Sequence, residues 1–292
     1  MVGIRVNRKQ AVTRSNQMRS IRQVLSALFL MSLLLTASST IPARAQDADA
    51  AADPNGVEAV FRAAYDAINA GDAEGAMAYY ASDAVSVALP APPGTTGVMV
   101  GYDDILQVTK DLIAGNLQIE ITDFHAFGDS AAMTALHSDD AFIALGVAPL
   151  EFTGTTTVQN GLIVQETWVI RPESFARFIA AIKSAENKAL VQRLYDEVYN
   201  GQAPDILSEL VAPDALAEYQ AAVAEMQAAY PELTATVDRL LVEGDQVVAV
   251  LTFTGTPAGG EPVTWSQVDV HRLADGLLAE TSHFGGPPAG AE

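Results

Sequence analysis

Two helical stretches of this chain begin alike, one with Val60-Phe61-Arg62-Ala63-Ala64-Tyr65-Asp66 and the other with Leu190-Val191-Gln192-Arg193-Leu194-Tyr195-Asp196. They end alike as well, at Ala70-Gly71-Asp72 and at Asn200-Gly201-Gln202. Later cues recur in the same order: Ser82-Asp83-Ala84 with Pro213-Asp214-Ala215, Gly128-Asp129 with Gly244-Asp245, and Asn160-Gly161-Leu162-Ile163 with Asp275-Gly276-Leu277-Leu278. Solenoid repeats have periods of roughly 20–50 residues, so a repeat this long indicates a duplicated domain.

The first 45 residues have the features of a secretory signal peptide. Basic residues precede an apolar run from Val24 to Leu35, and Ala43-Arg44-Ala45 precedes Gln46. The run is short for a membrane span, which needs roughly 20 residues, although an uncleaved N-terminal anchor is the alternative. We therefore predict a signal peptide over 1–45, cleavage near Ala45 and export to the periplasm or the medium. A disordered leader follows over 46–55.

The exported chain is expected to be strongly acidic. The sequence has 16 Lys and Arg against 36 Asp and Glu, and residues 1–45 contain seven of the basic residues and none of the acidic ones. The remainder has a net charge of about −27, which repels nucleic acid and anionic membrane surfaces, so neither is expected as a partner. The chain has no cysteine, which excludes disulfides and thiol catalysis.

Helices precede strands in each copy. In the first, apolar periodicity predicts a helix that ends near Gly71, a short helix over 72–80, a Pro-rich loop over 89–97 and a helix over 102–112. The period then changes to two, which predicts strands over 119–121, 131–135, 141–145, 152–158 and 163–170. The second copy repeats this, with strands over 234–241, 246–255, 263–273 and 277–284. This order predicts an α+β fold with helices on one face of an antiparallel sheet.

Each copy resembles the nuclear transport factor 2-like superfamily, whose members form a cone of a curved sheet around helices. The second copy resembles the SnoaL-like polyketide (ester) cyclase branch, through 186–191, 207–214, 230–233, 243–245, 254–256 and 268–276. The first resembles a looser branch, through 70–75, 80–84 and 161–163. The superfamily includes isomerases, dehydratases, epoxide hydrolases, cyclases and inactive binding modules, so the resemblance implies a fold more than an activity.

The resemblance implies two tandem cone-shaped domains. We place the first over 56–171, a helical linker over 172–184, the second over 185–285 and a Gly/Pro-rich tail over 286–292. The two copies are expected to pack sheet against sheet as an intrachain pseudo-dimer, which allows the protein to be monomeric.

The resemblance to the cyclases also implies a set of site residues. In that branch a carboxylate follows the Gly of the last hairpin by seven residues, and a His and a Gln precede it by seven and nine. Counted from Gly276, the acid position holds His283, and the His and Gln positions hold Asp269 and Gln267. The acid and the histidine are thus interchanged, but the pair can still move a proton. We predict that His283 acts as the base, Asp269 orients it and Gln267 steadies an oxyanion.

The turn before Leu277 decides whether these side chains meet. A three-residue loop over 274–276 places His283 and Asp269 on one face, whereas a two-residue Asp275-Gly276 turn sends His283 to the other. Asp-Gly is the commoner signal for the short turn, so both alternatives stay open. His283 can also be a satisfied or exposed residue near a frayed C-terminus.

The first copy has no equivalent set. The same count from Gly161 gives Phe152, Gly154 and Trp168, which cannot transfer a proton, so this copy is expected to be structural or to bind an apolar ligand. The stretch His137-Ser138-Asp139-Asp140 has the residue types of a metal site but too few ligands. No phosphate-binding loop or hydrolase motif occurs, so no metal and no cofactor is expected. Residues 79–80 and 195–196 are interpreted as helix core and caps.

The leading functional hypothesis is a small-molecule pocket in the second domain. It would bind an apolar carbonyl compound, with cyclase- or isomerase-type proton transfer as a further step. This requires that the imidazole and the carboxylate point into one enclosed hollow. The alternatives are a non-catalytic ligand-binding protein and a structural or interaction module whose cones are filled by their own side chains.

Overall fold

The computed structural model describes residues 56–91, 94–257 and 259–287. The predicted signal peptide, the leader and the tail from residue 288 onward lie outside the described residues. The chain divides into two compact units between Phe178 and Ile179. Among the residues that the structure describes, no helix combines the length and the apolar character needed to cross a membrane.

The first domain begins with two consecutive helices. Apolar residues at helical spacing bury one face of α1 (Val57–Asn69), and Gly71, at a φ of 80°, follows its end. The Asp72 side chain caps α2 (Ala73–Met77) by accepting a backbone hydrogen bond at 2.8 Å. A third helix, α3, spans Tyr102–Ala114.

The sheet of the first domain has six strands in the order β2-β1-β6-β5-β4-β3. Their bounds are Tyr80–Leu89 (β1), Val98–Val100 (β2), Gln118–Phe127 (β3), Ser130–Ser138 (β4), Leu150–Gln159 (β5) and Leu162–Ile170 (β6). β1 runs parallel to β6, and the other neighbours are antiparallel. The α+β class is confirmed, with the difference that this sheet is mixed.

Two local predictions for this domain are wrong. β1 and β2 were not predicted, and β1 occupies the end of the predicted short helix and the start of the Pro-rich loop. Residues 141–145, predicted as a strand, belong mainly to a short helix, α4 (Asp140–Ala144). The Asp139 carboxylate caps α4 by accepting a hydrogen bond from the Phe142 amide at 2.6 Å. A short apolar run does not distinguish helix from strand by periodicity, and here the cap decides.

The second domain begins inside a long helix. This helix, α5 (Pro172–Arg193), continues directly into a π-helical segment, Leu194–Asn200. The residues predicted as a linker are therefore continuous with the first helix of the second copy. A 3₁₀ turn (Pro204–Ile206), α6 (Leu207–Leu210) and α7 (Leu216–Ala229) follow.

The sheet of the second domain is antiparallel, in the order β10-β9-β8-β7. Its strands are Thr234–Glu243 (β7), Gln246–Gly255 (β8), Val263–Ala274 (β9) and Leu277–Gly285 (β10). In the place of β1, this domain has a single parallel bridge between Val211 and Leu278.

The two sheets share their irregularities. Bulges occur at Thr122 in β3 and at Asp238 in β7, where the pairing with the next strand shifts by one residue. The last hairpin of each domain has a two-residue turn followed by a bulge, at Val164 in β6 and at Ala279 in β10. A bulge bends its strand and moves the side chains beyond it to the other face of the sheet. The strands of the two domains therefore bend at corresponding places.

Each domain has its own apolar core between its helices and one face of its sheet. Aromatic rings lie at the centre of both. The first set is Phe61, Tyr65, Phe124 and Trp168, and the second is Tyr195, Tyr199, Phe253 and Trp265.

Candidate active site

The turn before β10 decides which face His283 occupies. It is the short turn, with Asp275 at a φ of 51° and Gly276 at 77°. The bulge at Ala279 follows it, which neither predicted alternative included. Its extra residue reverses the alternation of β10 and brings His283 directly opposite Asp269. The expectation that a short turn sends His283 to the other face is therefore wrong.

Asp269 is the centre of the site. Its side chain is 3% exposed. It accepts hydrogen bonds from His283 Nδ1 at 2.8 Å, the Tyr195 hydroxyl at 2.7 Å and Gln267 Nε2 at 2.7 Å. Burial by itself raises the pKa of Asp269, but these hydrogen bonds outweigh it and hold that pKa below its usual value. Asp269 is therefore ionised near neutral pH.

His283 lies between the buried cluster and the surface, with its side chain 49% exposed. The hydrogen bond to Asp269 raises the pKa of His283, and partial burial opposes that rise. Because Asp269 is ionised, the neutral imidazole keeps its proton on Nδ1, and Nε2 carries a lone pair. A general base requires this arrangement.

Gln267 is 6% exposed, and its side-chain amide is hydrogen-bonded to neighbouring side chains. Its Nε2 donates to Asp269 and lies 3.3 Å from His283 Nδ1, while its Oε1 accepts from Trp265 Nε1 at 3.4 Å. These contacts favour a role in orienting Asp269 over the predicted contact with an oxyanion.

A cavity of about 250 Å³ lies in the first domain, away from this cluster. It is lined by Gln118, Ile119, Glu120, Leu136, Ser138 and Pro149. The site thus joins a buried carboxylate to a half-exposed imidazole. The two groups converge as the hypothesis requires.

Four more polar residues, none of them predicted as a site residue, extend the cluster: Tyr195, His271, Thr281 and Tyr219. Tyr195 and His271 are each 1% exposed. Burial lowers the pKa of His271 to about 4, so its imidazole is neutral near pH 7. The sequence contains a signal for Tyr195 and another for His271. The tyrosine recurs in the first copy as Tyr65, and His271 shares a strand face with Asp269 because side chains two apart point the same way.

The corresponding positions of the first domain form an indole contact instead of an acid–base pair. A Cβ at Gly154 would lie 2.7 Å from the Trp168 ring, so glycine makes room for the indole. Trp168 is 6% exposed, and its Nε1 donates to the Tyr65 hydroxyl at 2.6 Å. The indole fills the core and also binds the helix tyrosine.

The first domain also holds a buried carboxylate that the count from Gly161 missed. Glu166 accepts hydrogen bonds from the hydroxyls of Tyr65 at 2.9 Å, Tyr80 at 3.0 Å and Ser86 at 2.7 Å. Burial raises the pKa of Glu166, and the three hydrogen bonds oppose that rise. All four residues are at most 5% exposed, which indicates a structural role. Tyr80 is the first residue of β1 and not part of a helix.

The side chains of the stretch 137–140 have separate tasks. His137 faces the core and stacks on Phe152 with ring centroids 4.2 Å apart, and burial lowers its pKa to about 3. Asp139 caps α4, and Asp140 accepts a hydrogen bond from Asn116 at 2.7 Å. Within the part of the chain that the structure describes, no group of three or more His, Asp or Glu side chains is placed to hold a metal ion.

Two family descriptions match the chain, one in each domain: "SnoaL-like domain" over residues 61–166 and "SnoaL-like polyketide cyclase" over residues 189–285. Together they span most of the described residues. No curated protein sequence matches the chain.

Solved structures are similar to parts of the chain. One is provisionally described as a SnoaL-like polyketide cyclase from a Jannaschia species, with 26% identity over 35% of this chain and 85% of that chain and a TM-score of 0.33. A protein described in the same provisional way as a ketosteroid isomerase, from Kribbella flavida, shows 23% identity over 39% and 77%, with a TM-score of 0.33. An NTF2-like protein of unknown function from Cytophaga hutchinsonii shows 8% identity over 41% and 94%, with a TM-score of 0.34.

Proposed function

The chain belongs to the SnoaL-like family of NTF2-like proteins in both of its domains, and from this premise we propose that its second domain transfers a proton to and from an apolar carbonyl compound. His283 is the base, Asp269 orients it, and Gln267 holds Asp269 in place. The reaction class is that of a cyclase or isomerase, in which a proton is removed from the carbon next to a carbonyl group.

One observation carries this proposal: a half-exposed imidazole whose Nδ1 lies 2.8 Å from a buried, ionised carboxylate. Asp269 fixes the tautomer of His283, which leaves Nε2 as the proton acceptor. It also stabilises the imidazolium that forms when His283 takes up the proton, because opposite charges in contact favour the charged form. The hydrogen bond to Asp269 raises the pKa of His283 above its usual value near 6.5, which makes the imidazole a stronger proton acceptor.

The site of action is proposed to be outside the cytoplasm. The basic segment, the apolar run and the Ala43-Arg44-Ala45 sequence support cleavage after Ala45, and the acidic composition of the remaining chain suits a soluble exported protein. N-terminal sequencing of the protein recovered from the periplasm or the medium should begin at Gln46. Recovery of the full-length chain in the membrane fraction would support the anchor instead.

Proton–deuterium exchange in D₂O is the direct test. A panel of apolar ketones and esters, followed by ¹H NMR, reports removal of the proton next to the carbonyl whatever the final product is. His283→Ala should reduce the protein-dependent exchange rate by about 100-fold or more, because a positioned base contributes about that much. The protein should stay folded but unfold at a somewhat lower temperature, because the buried Asp269 carboxylate loses one of its three hydrogen-bond partners.

The first domain offers a matched control. His125 is also an exposed strand histidine next to an acid, with its side chain 74% exposed and Nε2 3.0 Å from Asp123. His125→Ala should leave the exchange rate unchanged. Exchange that persists in His283→Ala at the original rate would exclude His283 as the base.

A structural or interaction module is the second candidate, and the packing of the second core favours it. Tyr195, Asp269 and His271 are at most 2% exposed, and the Phe253 and Trp265 rings stack with centroids 5.3 Å apart. This candidate predicts neither ligand binding nor exchange for the whole panel. Tight binding without exchange, insensitive to His283→Ala, would identify a ligand-binding protein instead.

A further inference from the structure

A chain of hydrogen bonds runs from α7 to the buried carboxylate of the site. The Tyr219 hydroxyl bonds Thr281 Oγ1, and Thr281 Oγ1 lies 2.8 Å from His271 Nδ1. His271 Nε2 lies 2.8 Å from the Tyr195 hydroxyl, which lies 2.7 Å from Asp269 Oδ2. Each group in the interior of this chain has a partner on both sides.

The charge of Asp269 decides which group donates and which accepts at each step of this chain of hydrogen bonds. An ionised carboxylate only accepts hydrogen bonds, so the single hydroxyl proton of Tyr195 points at Asp269. The Tyr195 oxygen must then accept from His271, which requires the proton of the neutral imidazole on Nε2. His271 Nδ1 therefore accepts from the Thr281 hydroxyl, and the Thr281 oxygen accepts from the Tyr219 hydroxyl.

We propose that His271 is a positioning residue of the site, held as its Nε2–H tautomer, and that Thr281 and Tyr219 complete a one-directional chain that keeps the Tyr195 proton on Asp269. No role was assigned to His271 by the count of positions that found His283. His271 lies on the same face of β9 as Asp269 and Gln267, with all three side chains at most 6% exposed.

This inference rests on the proposed function, because its consequence concerns the base. A carboxylate oxygen that accepts from Tyr195 leaves the other oxygen for His283 and Gln267. The chain thereby assigns one oxygen of Asp269 to the interior and one to the exposed imidazole. In the reverse direction, a protonated Asp269 would donate to Tyr195, Tyr195 to His271 Nε2, and His271 Nδ1 to Thr281.

The tautomer of His271 separates the two directions. The chain has four histidines, so ¹⁵N labelling of histidine followed by long-range ¹H–¹⁵N spectra near pH 7 gives four imidazoles, each assigned by its own substitution. The expected result is a protonated Nε2 and an unprotonated Nδ1 for His271. A protonated Nδ1 would overturn the proposal, and this measurement needs no ligand or turnover.

Asp269→Leu tests the coupling. Without an acceptor at 269, the Tyr195 proton turns to His271 Nε2, and His271 should switch to the Nδ1–H tautomer. Tyr219→Phe is the matched control, because it removes a hydroxyl from the other end and leaves Thr281 free to donate to Nδ1. His271 should then stay protonated on Nε2. An unchanged tautomer in folded Asp269→Leu protein would contradict the proposed direction.

Two substitutions at His271 test its contribution to the proposed reaction. Glutamine can donate to Tyr195 and accept from Thr281, whereas leucine can do neither. His271→Gln should keep the exchange rate within about threefold, and His271→Leu should lower it about tenfold, which corresponds to about 1.4 kcal/mol. Equal rates in the two variants would overturn the positioning role. If the unsubstituted protein catalyses no exchange, the proposed function fails, and the tautomer measurements still decide the direction of the chain.

Discussion

The two domains share a helix tyrosine and a helix asparagine, but the acid that the tyrosine binds lies on a different strand in each. In each, a helix tyrosine binds a buried carboxylate, Tyr65 with Glu166 and Tyr195 with Asp269. An asparagine further along the helix then makes two hydrogen bonds to the backbone of a strand. Asn69 binds Ile119 at 2.8 Å through both amide atoms, and Asn200 binds Ala235 at 2.8 and 2.7 Å. The scaffold thus holds the tyrosine in place, while the acid comes from either of the last two strands.

The spacing between these anchors differs by one residue. Four positions separate Tyr65 from Asn69, and five separate Tyr195 from Asn200. The first helix is a regular α-helix, whereas the second takes up its extra residue as the π-helical segment 194–200. Tyr199 lies in this segment and stacks on Tyr195 with ring centroids 5.5 Å apart.

The last hairpin separates the domains by chemistry. Where the second domain has Asp269 and His283 opposite each other, the first has Gly154 and Trp168. The same backbone, with the same bulge, therefore presents an acid–base pair in one copy and an indole packed against a glycine in the other. In the second domain, the His283 imidazole is half exposed to solvent. In the first, the Trp168 indole occupies the space that a Cβ on residue 154 would take.

Among the substitutions that test this difference between the domains, Gly154→Ala is expected to lower the free energy of unfolding most. A Cβ at this position would meet the Trp168 ring at 2.7 Å and Met133 Sδ at 2.9 Å, and such overpacking costs about 3 kcal/mol of unfolding free energy. Urea unfolding followed by circular dichroism measures it. In a Trp168→Leu background the same substitution should cost less than half as much. An equal cost in both backgrounds would show that Gly154 does not serve the indole.

The two buried histidines should differ in their effect on stability. In the described residues, His137 Nε2 has no hydrogen-bond partner, whereas both ring nitrogens of His271 are bonded. The folded-state pKa values are about 3 and about 4, below the usual 6.5. Each histidine's stabilisation is therefore complete above pH 6.5 and is lost as the pH falls toward those values, because only the unfolded chain takes up the proton. Between pH 8 and pH 5 the loss is about 2 kcal/mol for each.

Phenylalanine at each position tests this difference. His137→Phe should remove that loss from the first domain without lowering its stability at pH 8, because no hydrogen bond of Nε2 is broken. His271→Phe should also flatten the pH dependence of the second domain, but lower its stability at pH 8, since Tyr195 and Thr281 lose a partner. The chain has two tryptophans, so Trp265→Phe and Trp168→Phe backgrounds let fluorescence follow one domain at a time. An undiminished pH dependence in His137→Phe would rule out this account of His137.

The smallest effect is expected at the end of the π-helical segment. A Cβ on Gly201 would lie 2.5 Å from the Glu197 carbonyl oxygen, although its φ of −81° is open to any residue. Gly201→Ala should therefore destabilise the second domain by about 1 kcal/mol. Gly115→Ala is the control, because Gly115 also follows a helix at a φ of −84° and its Cβ would approach no closer than 3.4 Å. Similar urea midpoints for the two variants would argue against strain from the π-helical segment.

Much of this molecule could be predicted from local patterns. Apolar spacing of 3.6 and of two residues located the long helices and most of the strands, and the strand period of two placed Gln267, Asp269 and His271 on one face. The same period predicts that Glu166 lies on the buried face of β6 with Trp168 and Ile170. It was missed because only the positions counted from Gly161 were considered.

The remaining features depend on contacts between distant segments. The short helix at 140–144 depends on its cap by Asp139, and the strand β1 depends on parallel pairing with β6. Apolar spacing indicates neither of these contacts. The bulge at Ala279 leaves no mark in the composition of β10, yet it decides that His283 meets Asp269.

The sequence by itself determined the duplication, the α+β class and the residue types available for a proton transfer, because these follow from periodicity and from chemistry carried by single residues. Only the tertiary structure decided which of those residues meet. A one-residue shift in strand pairing reverses every side chain beyond it, and hydrogen bonds from Tyr195, Gln267 and His283 converge on Asp269 only once helix and sheet are packed together.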